Sequence, residues 1–384
     1  MQRRTLIRGA LAGLGGSVAL GFTMPREALG SPAQNGPSPY GPLRPADANG
    51  IMLSAGFTSR VVARTGQTVP GTSYRWHAAP DGGACYADGS GWIYVSNSEI
   101  GSSGGGAGAL RFDADANVTG AYRILSGTTS NCAGGDTPWQ TWLSCEETDR
   151  GYVFETDPWG VNPAVRRAAM GRFKHEAAAA DPDREVVYLT EDETDGCFYR
   201  FVPATWGDLS TGTLQVLVER SGALSWAQVP DPAGTSTRTR RQVSGAKRFN
   251  GGEGCYYRDG IAYFTTKGDN RVWAYDAGAN TLVIAYDDSL TSPAPLTGVD
   301  NLTGTAAGDL YVAEDGGNME ICVITPAEVV APFLRVTRQG LSELCGVAFN
   351  PAGNRLYFSS QRGTSGSSNG GITYEVTGPF RTAA

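Results

Sequence analysis

Six times along the chain a hydrophobic segment bearing an aromatic runs into a small residue and then into polar or acidic ones. The copies are Ile93-Tyr94-Val95-Ser96-Asn97, Trp142-Leu143-Ser144-Cys145-Glu146, Tyr188-Leu189-Thr190-Glu191-Asp192, Tyr263-Phe264-Thr265-Thr266-Lys267, Tyr311-Val312-Ala313-Glu314-Asp315 and Tyr357-Phe358-Ser359-Ser360-Gln361. Their aromatics are 48, 46, 75, 48 and 46 residues apart. Strand-like copies at a period in the forties predict a β-propeller with one four-stranded blade per copy. The fold expected is therefore all-β, a single six-bladed β-propeller. The long interval between Tyr188 and Tyr263 leaves room for an insertion around residues 205–248. Repetition also turns scattered acids into neighbours, because equivalent positions on successive blades form a ring about one axis.

The N-terminus predicts export. Arg3-Arg4-Thr5-Leu6-Ile7 is a twin-arginine signature followed by an apolar Gly/Ala-rich stretch from Gly9 to Phe22. That stretch is too short for a permanent span, and Ala28-Leu29-Gly30 offers small residues for cleavage. Residues 1–30 are read as a signal peptide for the twin-arginine machinery, 31–49 as a linker and 50–384 as the propeller. The destination would be extracellular, periplasmic or cell-wall associated. Export of an already folded chain suits a protein that loads metal before crossing.

Composition fits an exported β-domain, with 53 Gly and 16 Tyr and no long amphipathic helical pattern. Loss of residues 1–30 removes Arg3, Arg4, Arg8, Arg26 and Glu27, taking the formal charge from -7 to -10. Such an acidic shell argues against nucleic acid as a partner and suits multivalent cations. No further segment is apolar and long enough for a membrane span. Seven cysteines leave at least one outside any intramolecular pairing, and the sequence does not fix the connectivity.

A second column lies ten to twelve residues before the repeating aromatic, where each blade's innermost strand should run. It holds Cys132, Glu176, Glu253, Asp300-Asn301 and Cys345, mostly followed by small residues. With Glu146, Glu147, Glu191, Asp192 and Glu314 on the adjoining column, the axis gathers more negative charge than Lys174, Lys267 and Arg172 neutralise. Buried carboxylates without partners cost several kcal/mol each, and bound cations are the simplest compensation. Oxygen ligands favour Ca²⁺, whereas a thiolate among them favours a transition metal such as iron.

Structural roles compete with this at each position, since acids beside turns commonly bind backbone amides. Asp81, Asp181, Asp259 and Asp309 lie in turn-like contexts and are read as turn residues. Gly101–Gly108 lacks the ending of a P-loop and reads as a flexible loop. Trp139, Trp142 and Trp159 should pack between blades. Arg238, Arg240, Arg241, Lys247 and Arg248 form a basic patch in the insertion, either a solvated loop or an anion-attracting rim. His77 and His175, the only histidines, supply neither a His-rich zinc site nor a Ser-His-Asp triad.

Three stretches carry a family resemblance: Asp88-Gly89 through Gly91-Trp92-Ile93-Tyr94-Val95-Ser96-Asn97 to Glu99; Asn131-Cys132-Ala133-Gly134-Gly135 through Trp139 and Trp142 to Cys145-Glu146-Glu147; and Gly171-Arg172-Phe173-Lys174-His175-Glu176. Thr190-Glu191-Asp192, Glu253-Gly254, Asp300-Asn301 and Glu314-Asp315-Gly316 continue it in order. Together they resemble the PhoX family of calcium-dependent alkaline phosphatases, from about residue 50 to 376. The resemblance implies a monomeric exported propeller with an axial cluster of Ca²⁺ and Fe³⁺. Cys132 would be the iron thiolate; Glu146, Glu147, Glu176, Glu253, Asp300, Asn301 and Glu314 would be further ligands, with Asn97 a weaker candidate. Cys132 and Glu253 are the expected catalytic residues, and the substrate a small phosphate ester.

One departure stands out. The resemblance leads one to expect an arginine just before the Glu-Gly of the inner strand, where this chain has Phe249-Asn250-Gly251-Gly252-Glu253. Lys247, Arg248, Lys174, Lys267 or Arg362 would have to supply that charge. Two other functions remain open: a calcium-dependent propeller hydrolase of a lactone or phosphodiester, and a non-catalytic binding propeller stabilised by calcium.

Overall fold

The structure is a computed structural model describing residues 31–381. Six antiparallel sheets surround one axis. In order from the inside outward, the first blade is Pro80–Asp88, Gly91–Ser98, Gly105–Phe112 and Val118–Thr128. The second is Asn131–Asp136, Trp142–Glu146, Val153–Thr156 and Val165–Arg166. Inner strands of the remaining blades are His175–Asp181, Gly252–Arg258, Val299–Gly304 and Leu344–Phe349. The ring closes where Thr58–Arg64, from the start of the chain, pairs with Ile372–Thr377 as the outermost strand of the sixth blade. The expectation of an all-β six-bladed propeller holds.

Strands buried on both faces explain the aromatic repeat. In the first blade Ile93 and Val95 pack toward Trp142 of the second, while Trp92 and Tyr94 pack toward Tyr357 of the sixth. Side chains alternate along a strand, so each blade presents one apolar set to each neighbour. Six apolar clusters result, one between each pair of adjacent blades. The alternation also exposes a slip in the repeat. Tyr94 and Trp142 face the preceding blade, whereas Tyr188, Tyr311 and Tyr357 lie one residue nearer the strand end and face the following one.

The insertion is a lengthened strand, Asp208–Arg220, a fifth strand, Ala223–Gln228, and the loop that follows. Its basic patch is ion-paired, mostly to acids outside the insertion. Arg240, with its side chain 10% exposed, holds Glu191, Glu193 and Asp195, Arg238 pairs with Asp149, and Lys247 pairs with Glu219.

Three expectations differ from the structure. Residues 31–49 pack onto the propeller: Ala33 is buried, Gln34–Asn35 pairs with the outer strand of the fifth blade, and the Tyr40 and Tyr311 hydroxyls meet at 2.5 Å. The glycine-rich run is half strand, because a Cβ at Gly106 would meet the Leu125 carbonyl. Asp81 belongs to an inner strand and is buried, as described below. The tryptophans do bridge blades: Trp142 and Trp159 donate to Asn97 and Asp88 of the first, and Trp139 packs on Trp206 of the third. All seven cysteines are free, so no pairing has to be assigned. Among the described residues no helix is long and apolar enough to cross a membrane. The twin-arginine segment lies outside the described residues.

Candidate metal centre

Every inner strand carries an irregularity near its start. The pairing register shifts between Pro80/Gly83, Asn131/Gly134, His175/Ala178, Gly252/Cys255, Val299/Leu302 and Cys345/Ala348. A bulge of this kind re-aims a side chain out of the pleat. The first residues within the shifts are Asp81, Cys132, Glu176, Glu253, Asp300 and Gly346. Small neighbours permit the crowding: a Cβ on Gly82 would lie 2.5 Å from the Ala133 Cα, and one on Gly254 2.8 Å from the Asn301 Cα. Polar residues of the preceding blade fix the bulges. The Asn97 amide donates to the Cys132 and Ala133 carbonyls, Thr190 to the Glu253 carbonyl and Thr265 to the Asp300 carbonyl.

The rim above this ring is equally regular. The residue after each second strand donates its backbone N–H to the residue before the inner strand, at 2.7 to 3.2 Å. The pairs are Glu99 with Ala79, Glu147 with Ser130, Asp192 with Lys174, Lys267 with Gly251, Asp315 with Gly298, and Gln361 with Glu343.

Ring and rim converge. Ligand atoms of Asp81, Glu99 and Cys132 lie within 4.8 Å of one another, as do those of Cys132, Glu147 and Glu176, and those of Glu176, Glu253 and Asp300. Cys132 Sγ stands 3.7 Å from Asp81 Oδ2. Both carboxylate oxygens of Glu176 are buried without a hydrogen-bond partner. Lys267 reaches Glu253 at 2.8 Å and Asp315 at 3.2 Å, Lys174 reaches Glu147 at 2.9 Å and Asp192 at 2.5 Å, and Arg362 reaches Glu343 at 2.9 Å. Gln361 Nε2 donates to Asp81 and Glu99.

This imbalance dominates the electrostatics. Burial, then the charges of Glu253 and Glu147, raises Glu176 well above the usual carboxylate range. Burial likewise lifts Asp81, Glu253 and Glu343, and takes Glu147 and Asp300 to about 7. The Cys132 thiol is raised by burial and by Asp81, Glu176 and Glu147. A divalent or trivalent cation inverts this logic, since its charge favours the ionised form of each ligand. The orphaned Glu176 oxygens and the convergent donors fit such a group, with all-oxygen donors at Glu176, Glu253 and Asp300 and a mixed thiol-carboxylate set around Cys132.

Of the residues expected in the site, Cys132, Glu147, Glu176, Glu253 and Asp300 come together. Asn301 lies beside them with its amide engaged, donating to Asp300 Oδ1 and accepting from the Gly346 N–H. Glu146 and Glu314 are spent elsewhere. Glu146 accepts from the amides of Thr129 and Tyr152, and Glu314 from those of Thr297 and Glu320. Asp81, Glu99, Asp315 and Glu343 join the cluster without having been anticipated. Asp81 was legible only as the first-blade counterpart of Glu176. His175 stacks on Phe173 at 3.6 Å, a packing role, and Arg172 turns outward to the Arg150 carbonyl.

The fold and site together define a six-bladed propeller whose inner strands deliver carboxylates and one thiol to a candidate metal centre on the axis. The chain belongs to the PhoX alkaline phosphatase family, whose model, Alkaline phosphatase PhoX, matches residues 87–363. No curated protein matches the sequence. Among solved structures, a gluconolactonase of Xanthomonas campestris is similar at 13% identity, covering 89% of this chain and 99% of its own, with a TM-score of 0.52. A protein of unknown function from Bacteroides thetaiotaomicron is similar at 9% identity, covering 84% and 76%, with a TM-score of 0.52. At such identities the likeness is one of fold.

Proposed function

We propose that this protein is an exported, metal-dependent phosphomonoester hydrolase that works at the axial cluster, and that the metals are calcium and iron. The observation that carries this is Glu176, buried with both oxygens unpartnered and flanked by Glu253, Asp300, Glu147 and Cys132. Family membership supplies the reaction class. Glu176, Glu253 and Asp300 would hold calcium, and Cys132 with Asp81, Glu99 and Glu147 would hold iron. Bound cations would neutralise charge developing on the phosphoryl oxygens and activate the attacking oxygen. Glu253 and Cys132 act as ligands in direct reach of the reacting group, with Lys267 limiting the charge left on Glu253. The protein works as a monomer exported by the twin-arginine route, on a small phosphate ester.

The test is hydrolysis of a chromogenic phosphomonoester by natively exported protein, with Ca²⁺ present and after chelation. Turnover that requires Ca²⁺ and disappears in Glu253→Gln is the expected result. No turnover from folded, metal-loaded protein overturns it, and a lactone or phosphodiester substrate would then be tried, with a purely binding propeller left if those fail.

A further inference from the structure

The cations at the rim are unevenly placed. Lys174 and Lys267 occupy the two kinds of rim position on neighbouring blades, Lys174 before the inner strand of the third and Lys267 after the second strand of the fourth. Between them lie Asp192 and Gly251. Asp192 takes Lys174 Nζ at 2.5 Å and feels the charge of Lys267. Gly251, at φ +72°, is the rim partner of Lys267, and a Cβ there would lie 3.2 Å from Asp192 Oδ1. Any other side chain at 251 would be strained and would press on Asp192 and the Gly268 backbone nitrogen. Arg362 has no second cation at the rim positions of the neighbouring blades, which carry Ala79, Glu99, Gly298 and Asp315.

An ammonium has three N–H donors. Lys174 directs its ion pairs at Glu147 and Asp192, and Lys267 at Glu253 and Asp315, so an ammonium that gives one N–H to each carboxylate has a third to offer a ligand. Their side chains are 29% and 36% exposed, so both reach solvent at the mouth. A phosphoryl dianion approaching a ring of carboxylates is repelled unless fixed positive charge meets it. We propose that Lys174 and Lys267, one on each side of Gly251, bind the phosphoryl oxygens of the substrate. The inference rests on the phosphatase reading and assigns its anion-binding residues: the positive charge for which no arginine stands before Glu253-Gly254 comes from these two side chains.

The experiment is calorimetric binding of inorganic phosphate to calcium-loaded protein, for wild type, Lys174→Met, Lys267→Met and the double variant, with calcium content measured on each. Methionine keeps the aliphatic stem and removes the charge. Each single change should weaken phosphate at least ten-fold with calcium retained, and Lys267→Arg should restore most of the loss. Phosphate bound by the double variant as tightly as by wild type overturns the inference and leaves the phosphatase reading standing. Wild type that neither binds phosphate nor hydrolyses the ester overturns both. Lysine acylation mapped by mass spectrometry on the unmutated protein guards against a variant that fails to fold. Phosphate should protect Lys174 and Lys267, and undiminished labelling of both counts against the proposal.

Discussion

Glu146 and Glu147 are adjacent in sequence and serve opposite ends. Glu146 turns into its own blade and accepts the backbone amides of Thr129 and Tyr152 at 2.9 and 3.0 Å. Glu147 faces the axis within 4.8 Å of Cys132 and Glu176. The fifth blade repeats the arrangement: Glu314 binds the amides of Thr297 and Glu320, and Asp315 reaches the rim. Along a strand successive side chains alternate, so an acidic pair at a strand end divides into one cap and one axial group.

That division predicts a clean separation of effects. Glu146→Ala leaves two largely buried amides without their charged acceptor, at about 1.5–3 kcal/mol each. Urea unfolding should show a loss of about 3 kcal/mol or more, with metal per folded molecule unchanged. Glu147→Gln should do the reverse, lowering metal content while the chelated protein stays as stable as wild type. Equal metal loss in both variants would refute the division.

How much of this was readable in advance depended on which physical signal each residue left. Blade number followed from spacing alone. Cys132, Glu176 and Glu253 are legible because a small residue follows each of them where inner strands crowd, and Asp300 by its matching place before the repeating aromatic. Asp81-Gly82 looks like turn punctuation in sequence, whereas in the structure its glycine answers the close approach of Ala133. Glu146 and Glu314 accept backbone amides while Glu99 and Asp315 stand at the rim, a division that the aromatic repeat obscures. Its aromatics sit one residue apart in the first two blades and in later ones, and a one-residue slip exchanges the faces of a strand. Glu343 and the partners of Arg240 depend on contacts between distant segments, which leave no local trace.

Without metal, stability should fall as pH rises. Burial holds Glu147 in the folded protein at about 7, and Asp300 likewise, against ordinary values of 4.5 and 3.8. Between those limits the folded state binds more protons than the unfolded one. Each group therefore contributes stability that is complete below its unfolded pKa and lost as pH rises through about 7, at up to about 1.4 kcal/mol per pH unit. Calcium should reverse the trend, because its ligands must be ionised. Urea unfolding from about pH 5 to about pH 8, with chelator and with Ca²⁺, should give curves of opposite slope. A chelated curve that stays level would mean these carboxylates ionise without a cation.

Cys132 should be distinguishable from the other cysteines by what its loss changes. All seven thiols are free, and Cys145, Cys255, Cys322 and Cys345 are buried in the blades. Unfolding without reductant should expose seven titratable thiols. Cys132→Ser is nearly isosteric, so the fold should persist. Bound iron and any thiolate-to-metal absorption should be lost, and calcium should remain. Retention of that absorption in the variant would place the thiolate elsewhere.

Arg240 carries three of the ion pairs that tie the insertion to the axial rim, and removing it should loosen the loop without touching the metals. Arg240 pairs with Glu191 at 3.0 Å, Glu193 at 3.1 Å and Asp195 at 3.0 Å. Glu191 is fully buried and also accepts from Tyr199 and the Cys197 amide. Arg240→Met strands that carboxylate, and breaking a buried pair from one side costs about 3–5 kcal/mol. Part of the loss should be recovered at low pH. Burial already holds Glu191 at about 7 with Arg240 present, and without the guanidinium its protonated form is favoured further. Hydrogen exchange should accelerate across residues 229–251, while metal content holds. Exchange unchanged in that loop would show that the fifth strand, Ala223–Gln228, anchors the insertion without the arginine.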